Sequence, residues 1–316
     1  MDPLSEILSL LKPRSYITAG FDAGGDWSLL LDDLAGRIKC YAVIDGSCWL
    51  SLDEAEAPVQ VVTGDCFVLP SGRSVRISSD PAMAPTLASK ALTPDRDGEI
   101  VTYNGGGGVL LTGSRFEVSG RHADLLLRTL PPILHLRAAV DQAALRWSID
   151  LMMQELREAK PGASLVAQHL AHIMLTQTLR LYLETHSSTE IGLFAGLADP
   201  QVGSAIRAIH ADPGRGWALE ELAKHVGMSR TAFARRFREK TGETPVAYLT
   251  RWRMMLAAEQ LLIGRDSLAH IARLVGYESE NALNTAFKRV MGQSPRRYAK
   301  AVHGRPLFER PLDISR

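Results

Sequence analysis

The chain has 316 residues, 46% of them hydrophobic and 22% charged, enough to bury real cores and to favour about two domains over one. Its three cysteines, Cys40, Cys48 and Cys66, are odd in number and lack CxxC spacing, which argues against a disulfide framework or a zinc knuckle and for reduced, partly buried thiols. The formal charge of +1 conceals an asymmetry: residues 1–199 carry 16 basic and 24 acidic residues (−8), residues 200–316 carry 20 and 11 (+9), so the C-terminal part is expected to meet a polyanion.

The first residues, MDPLSEILSLLKPRS, open acidic and are broken by Pro13, unlike a secretory signal. No segment approaches the roughly 20 apolar residues of a membrane span. A soluble, cytoplasmic protein with no membrane partner is expected.

From Arg14 to Val118 the chain breaks into short apolar runs punctuated by Gly, Pro and Asp: IKCYAVIDG, CWLSL, VQVVTGDCFVLPSG, VRISS, GVLLTG and FEVSG. This punctuation predicts an antiparallel β-barrel or jelly roll. The stretch GDCFVLPSG, Gly64 to Gly72, is similar to a motif of the cupin barrels. Catalytic cupins hold a metal with histidines and a glutamate. Here Val75 stands where that motif places a ligand histidine, and no histidine precedes His122, so a binding barrel without metal or other cofactor is expected.

Asn104 to Gly108, NGGGG, lacks the Lys-Ser/Thr of a phosphate loop and reads as a flexible hairpin. Arg73 and Arg76 are candidates to hold an anionic effector, including a phosphate-bearing one, or are ordinary exposed strand arginines. Trp49, with Trp27 and Cys48, is a candidate for a pocket wall or for core.

Two long amphipathic patterns follow, AAVDQAALRWSIDLMMQELREAK and ASLVAQHLAHIMLTQTLRLYLETH, separated by Pro161-Gly162 and predicted to form an antiparallel helix pair. Leu165, His169, His172, Leu175, Leu179 and Leu183 form a candidate stripe. The spacing of His169 and His172 permits metal ligation on a helix, but without a partner carboxylate a packed or interface face is expected. Ser187 to Pro200 reads as a linker.

The C-terminal part repeats itself. GMSRTAFARRFREKTGETP, Gly227 to Pro245, and GYESENALNTAFKRVMGQSP, Gly276 to Pro295, place Ser229 and Ser279, Phe233 and Leu283, Phe237 and Phe287, Gly242 and Gly292, and Pro245 and Pro295 at one offset of 50 residues. Each copy reads as helix, glycine turn, helix, with Ser229 or Ser279 as N-cap. In the first, Phe233 and Phe237 share a face to be buried, leaving Thr231, Ala234, Arg235 and Arg238 outward. In the second, Leu283 and Phe287 are buried, leaving Asn281, Asn284, Thr285 and Lys288 outward. These stripes are where a helix in a DNA major groove presents side chains to base edges. Thr244-Pro245 starts a long connecting helix ending at Gly264, whose Leu249, Trp252 and Leu256 can face both copies; Ser294-Pro295 repeats the cap.

Gly203 to Ala301, with WALEELAKHVGMSRTAFARRFREKTGETP and GQSPRRY, resembles the DNA-binding domain of the arabinose-regulator (AraC/XylS) family of bacterial transcription regulators. GGDWSLLL and GSCWLSL resemble the cupin-type sensor domain that some members carry. By this resemblance Arg230, Thr231 and Arg235 match the family's DNA-facing positions, as do Asn281, Asn284 and Thr285 in the second copy. The family often has an arginine where this chain has Thr285, and Glu278 and Glu280 repel phosphate, so the first copy is expected to supply most of the specificity.

The expected fold is thus α+β in several domains: a cupin-like effector-binding barrel over 1–125, a helical linker or dimerisation pair over 126–190, and an all-α DNA-binding domain over 203–301 with helix-turn-helix units at 220–241 and 268–291. The expected function is sequence-specific transcription regulation, without enzymatic chemistry, governed by a small-molecule effector. The expected DNA-binding residues are Ser229, Arg230, Thr231, Ala234, Arg235, Arg238, Asn281, Asn284, Thr285 and Lys288; Arg73, Arg76 and Trp49 are the effector candidates. The expected partners are double-stranded promoter DNA at the nucleoid, the effector, RNA polymerase if the protein activates, and a second copy, since such helices commonly pair subunits in the resembling family. Two alternatives stay open: a cysteine-dependent repair enzyme fused to a DNA reader, and a constitutive DNA-binding protein whose barrel only dimerises.

Overall fold

The computed structural model describes residues 2–32, 36–52, 57–70, 73–92, 98–118, 127, 130–139, 142–185 and 191–303, with Tyr16, Ile17 and residues 301–303 as backbone alone. Ser71, Gly72, His122, the 125/126 boundary and linker residues 187–190 lie outside the described residues. Two units result, one of described residues from 11–118 and 127–199, the other of 2–10 and 200–303.

The first unit is a curled β-sheet. Its strands are β1 (Arg14–Ala23), β2 (Ser28–Leu31), β3 (Arg37–Ser51), β4 (Val59–Val62), β5 (Cys66–Leu69), β6 (Val75–Ser78), β7 (Thr86–Leu87), β8 (Ile100–Tyr103), β9 (Val109–Glu117) and β10 (Leu134–Leu136). The order is β7-β2-β6-β3-β9-β1-β8, with β4 and β5 also paired to β3 and β10 paired to β5. The 15-residue β3 turns the sheet: its first part pairs with β5 and β9, its second with β4 and β6, and its register on β9 shifts between Val43 and Asp45. Such an irregularity bends a strand. Gly46, at φ +78°, sits at the bend, and a Cβ there would strike the Gly108 carbonyl. Period-two alternation then collects Trp27, Leu29, Val43, Leu50, Phe67 and Ile77 inside.

Two helices pack beside the sheet. Ala143–Glu158 ends at Ala159 in left-handed conformation, and Ala163–Thr185 runs back along it and against β1 and β5. The long stripe divides: Leu175 and Leu179 are buried, whereas Leu165 and His169 are exposed. His172 turns inward, its two ring nitrogens each 2.8 Å from a backbone oxygen, of Gln168 and of Pro13, so it does not join His169.

The second unit is helical, comprising Pro200–Ala211, Leu219–His225, Arg230–Thr241, Pro245–Ile263, Leu268–Leu274, Glu280–Met291 and Pro295–His303. Ser229, Thr244, Ser267 and Ser279 each accept a hydrogen bond from the backbone N–H three residues on, satisfying donors that a helix start leaves open. Phe233, Phe237, Leu283 and Phe287 are fully buried. Phe237 meets Tyr248 edge-on at 5.6 Å and Phe287 meets Tyr298 at 5.4 Å, so the 50-residue offset recurs in the packing.

Candidate nucleic-acid interface and barrel cavity

Both helix-turn-helix copies close their turns by the same bonds. In the first, Met228 N–H donates to the Ala223 carbonyl (2.9 Å) and Gly227 N–H to Lys224 (3.1 Å); in the second, Tyr277 N–H donates to Ala272 (2.8 Å) and Gly276 N–H to Arg273 (3.1 Å). This pattern needs a left-handed residue, supplied by Gly227 (φ +70°) and Gly276 (φ +78°). A Cβ on Gly227 would meet open space, whereas one on Gly276 would stand 2.6 Å from an Arg253 nitrogen and strike the Gly214 carbonyl.

The turns set the outward faces. Arg230, Thr231, Arg235 and Arg238 are exposed and Ala234 is half-buried; in the second copy Asn281, Asn284, Thr285 and Lys288 are all exposed. Ser229 is exposed, but its hydroxyl oxygen accepts the Ala232 N–H, so its first task is capping. Arg230 (65% exposed) pairs with Glu220 at 2.7 Å, and this guanidinium holds the Glu220 carboxyl below its ordinary range. Arg235 (77% exposed) lies 3.7 Å from Glu239 on its own helix. Thr285 Oγ1 donates to the Asn281 carbonyl at 3.0 Å, which occupies its hydroxyl proton within the helix.

Sequence reading missed two supports of this unit. Arg253, on Pro245–Ile263, donates to the carbonyls of Pro213 (2.7 Å), Arg215 (2.8 Å) and Gly276 (3.4 Å) and lies over the Tyr277 ring. It fixes the second turn to the loop before Leu219, and only the three-dimensional path of those carbonyls reveals this. His210 is buried, stacked on Trp252 at 3.6 Å, 2.8 Å from the Tyr248 hydroxyl through Nε2 and 2.8 Å from Glu6 through Nδ1. Burial, with the Arg251 charge second, pushes its pKa down to about 3, and burial raises that of Glu6.

In the first unit a cavity with an empty volume of about 700 Å³, part of it open to solvent, opens inside the sheet. Phe21, Trp27, Tyr41, Ile77, Leu111 and Arg115 are among its walls; Arg73, Arg76 and Trp49 are not. Arg73 is exposed, Arg76 donates to the Met83 carbonyl at 3.3 Å, and Trp49 alternates away from the buried Cys48 and Leu50. The three thiols are buried; burial pushes Cys40 and Cys48 up to about 12 and Cys66 well above the usual thiol range, the opposite of an activated nucleophile. Among the described residues no group of three or more His, Cys, Asp or Glu is arranged to hold a metal ion, and no helix is long and apolar enough to cross a membrane.

Residues 2–184 match the family model described as cupin, and residues 222–301 the one described as helix-turn-helix domain. A Streptomyces lividans protein described as an AraC-like transcription regulator is 42% identical over 302 residues, covering 95% of this chain and 98% of its own length. The RCS-specific HTH-type transcriptional activator RclR of Escherichia coli is 30% identical over 307 residues, covering 96% and 98%. Among solved structures, the DNA-binding domain of AdpA in complex with a target DNA is similar at 32% identity, covering 35% of this chain and 99% of that one, with a TM-score of 0.33. With a cupin domain ahead of a DNA-binding helix-turn-helix domain, the chain belongs to the AraC-like transcription regulators.

Proposed function

We propose that this regulator reads promoter DNA through Arg230, Thr231, Arg235 and Arg238 of its first helix-turn-helix and Asn281, Asn284, Thr285 and Lys288 of its second, with Ser229 and Ala234 fixing the first reading helix. The carrying observation is the pair of identically closed turns, each presenting an exposed polar stripe opposite a buried aromatic. Arg235 suits a bidentate contact to guanine, Asn281 one to adenine, and Arg230, Arg238 and Lys288 suit phosphates.

The barrel, over about residues 1–125, is the sensor. Its apolar cavity supports this reading, and the effector acts only through its different affinity for DNA-competent and incompetent states. The helices within 126–190 pair two copies: Trp147, Leu165, Val166 and Ile173 leave them exposed, an apolar surface that a second copy covers. RNA polymerase is a further partner if bound protein activates. The buried, protonated thiols weigh against the repair-enzyme alternative.

Genome-wide DNA pull-down with the full chain tests the reading. Discrete recovered sites, bound with an affinity that falls steeply as salt rises, are expected. Recovery without sequence preference would overturn it.

A further inference from the structure

We propose that the barrel cavity takes an uncharged aromatic molecule of one or two rings; this rests on reading the cavity as the effector site and names the class of effector. Three of its walls are rings: Phe21 on β1, Trp27 just before β2, and Tyr41 on β3. Phe21 and Trp27 stand edge to face, their centroids 5.4 Å apart and their planes at 75°. A guest ring parallel to either one is therefore nearly perpendicular to the other, so it can stack on the first and meet the second edge-on, the two arrangements that aromatic pairs prefer.

These walls are held by the protein itself. Trp27 N–H donates to Ser79 Oγ at 3.0 Å, and the Trp27 carbonyl accepts from the Ser79 N–H at 2.9 Å and from its hydroxyl at 3.2 Å. Tyr41 is stacked on Phe67 at 5.1 Å. A wall fixed in this way loses little conformational freedom on binding, and a rigid planar guest loses less than a flexible chain of the same size. The other walls decide the charge. Leu29, Leu31, Ile77 and Leu111 are apolar, and the two ionisable walls, Tyr41 and Arg115, each already have a partner within the protein. A charged guest would give up its hydration against walls whose cation is engaged elsewhere, a cost that an apolar lining does not return. An uncharged ring gives up apolar surface, which gains from burial. Part of the empty volume of about 700 Å³ is open to solvent, so the enclosed remainder suits one or two rings and no larger frame.

Calorimetric titration of the full chain at neutral pH with three molecules of one two-ring frame tests the assignment: 2-naphthol, its saturated form decahydro-2-naphthol, and the charged 2-naphthoate. The neutral aromatic 2-naphthol is expected to bind about threefold or more tighter than decahydro-2-naphthol and about tenfold or more tighter than 2-naphthoate. Trp27→Leu is expected to bring the first ratio to about one while decahydro-2-naphthol still binds, and Leu29→Trp, which fills the cavity, to abolish binding of all three. Binding of 2-naphthoate as tight as that of 2-naphthol overturns the uncharged assignment, and equal binding of the two alcohols, or a first ratio that Trp27→Leu leaves unchanged, overturns the aromatic one; each leaves the effector cavity standing. No binding by any of the three overturns the proposal. Binding that survives Leu29→Trp overturns it together with the cavity reading. Should either variant fail to fold, the two ratios of the unaltered chain decide.

Discussion

Arg230 and Glu220 pair at 2.7 Å across the first helix-turn-helix, one from the start of the outward helix and the other from the start of the helix before it. The pair is exposed, so it adds little to stability, yet it engages a cation that phosphate would claim. Glu220→Gln is therefore expected to tighten DNA binding with little change in melting temperature. Arg230→Ala is expected to lower the slope of log K against log salt by about 0.9 in magnitude. Salt titrations of both variants check this; an unchanged slope for Arg230→Ala removes it from the phosphate contacts.

The two turn glycines separate conformation from space. Gly227→Ala meets no atom and pays only for the left-handed backbone, about 1–2 kcal/mol. Gly276→Ala pays that and also displaces Arg253 or the Gly214 carbonyl, so a larger loss is expected. Urea unfolding gives both values; equal losses would mean that the Gly214 loop yields freely.

Arg253 itself supplies a third expectation. Its three carbonyl acceptors are groups that Arg253→Met leaves without this donor, and a loss of about 1.5–3 kcal/mol or more follows. DNA affinity should fall with it, because the second turn loses its tie to the loop before Leu219. A stable variant with unaltered affinity would assign the arginine a dispensable role.

The fold class was legible because its signals are local. Caps at Ser229 and Thr244, left-handed glycines and buried phenylalanines are set by nearest neighbours and by helical period, and the 50-residue offset doubled each of them. The cavity was less legible. Arg73, Arg76 and Trp49 drew notice as charged or aromatic strand residues, but side-chain direction depends on strand register, and the bend of β3 sets that register. Arg115 and Lys39 lie 76 residues apart and become neighbours only through the β3–β9 ladder. Tyr298 and Tyr248 carry the repeat's offset and were within reach of the same comparison that paired Phe237 with Phe287.

Acid should weaken the C-terminal unit. The unfolded His210 imidazole takes up a proton below its ordinary 6.5, while the folded one, pushed down to about 3 by burial first and Arg251 second, does not. Between those values the unfolded state binds more protons, so stability falls as pH falls, by up to about 1.4 kcal/mol per pH unit. Glu6, its carboxyl raised by burial, takes up its proton earlier in the folded state as pH falls and offsets part of the loss. Urea midpoints from pH 7.5 to 5.0 should decline, and His210→Phe, which keeps a ring on Trp252, should flatten the decline. Parallel slopes for the two proteins would place the titrating group elsewhere.

One matched pair, Arg235 and Thr285, sets the two copies apart in what they can offer a base edge. Arg235 is 77% exposed and only loosely engaged by Glu239, so its planar fork is available to guanine O6 and N7. Arg235→Ala is expected to cost about 1–3 kcal/mol at the preferred site and to relax preference at one base pair. Were the contact purely electrostatic, all sequences would weaken alike. Thr285 has its hydroxyl proton committed to the Asn281 carbonyl, so Thr285→Ala removes little from a base contact and should cost under about 1 kcal/mol. Asn281 keeps its side-chain amide outward and exposed, and Asn281→Ala is the variant that measures base reading by the second copy. Affinity measured for all three variants on the preferred site and on single-base changes of it decides the matter. If Asn281→Ala and Thr285→Ala both prove as damaging and as sequence-selective as Arg235→Ala, the copies read bases equally and the first has no privilege.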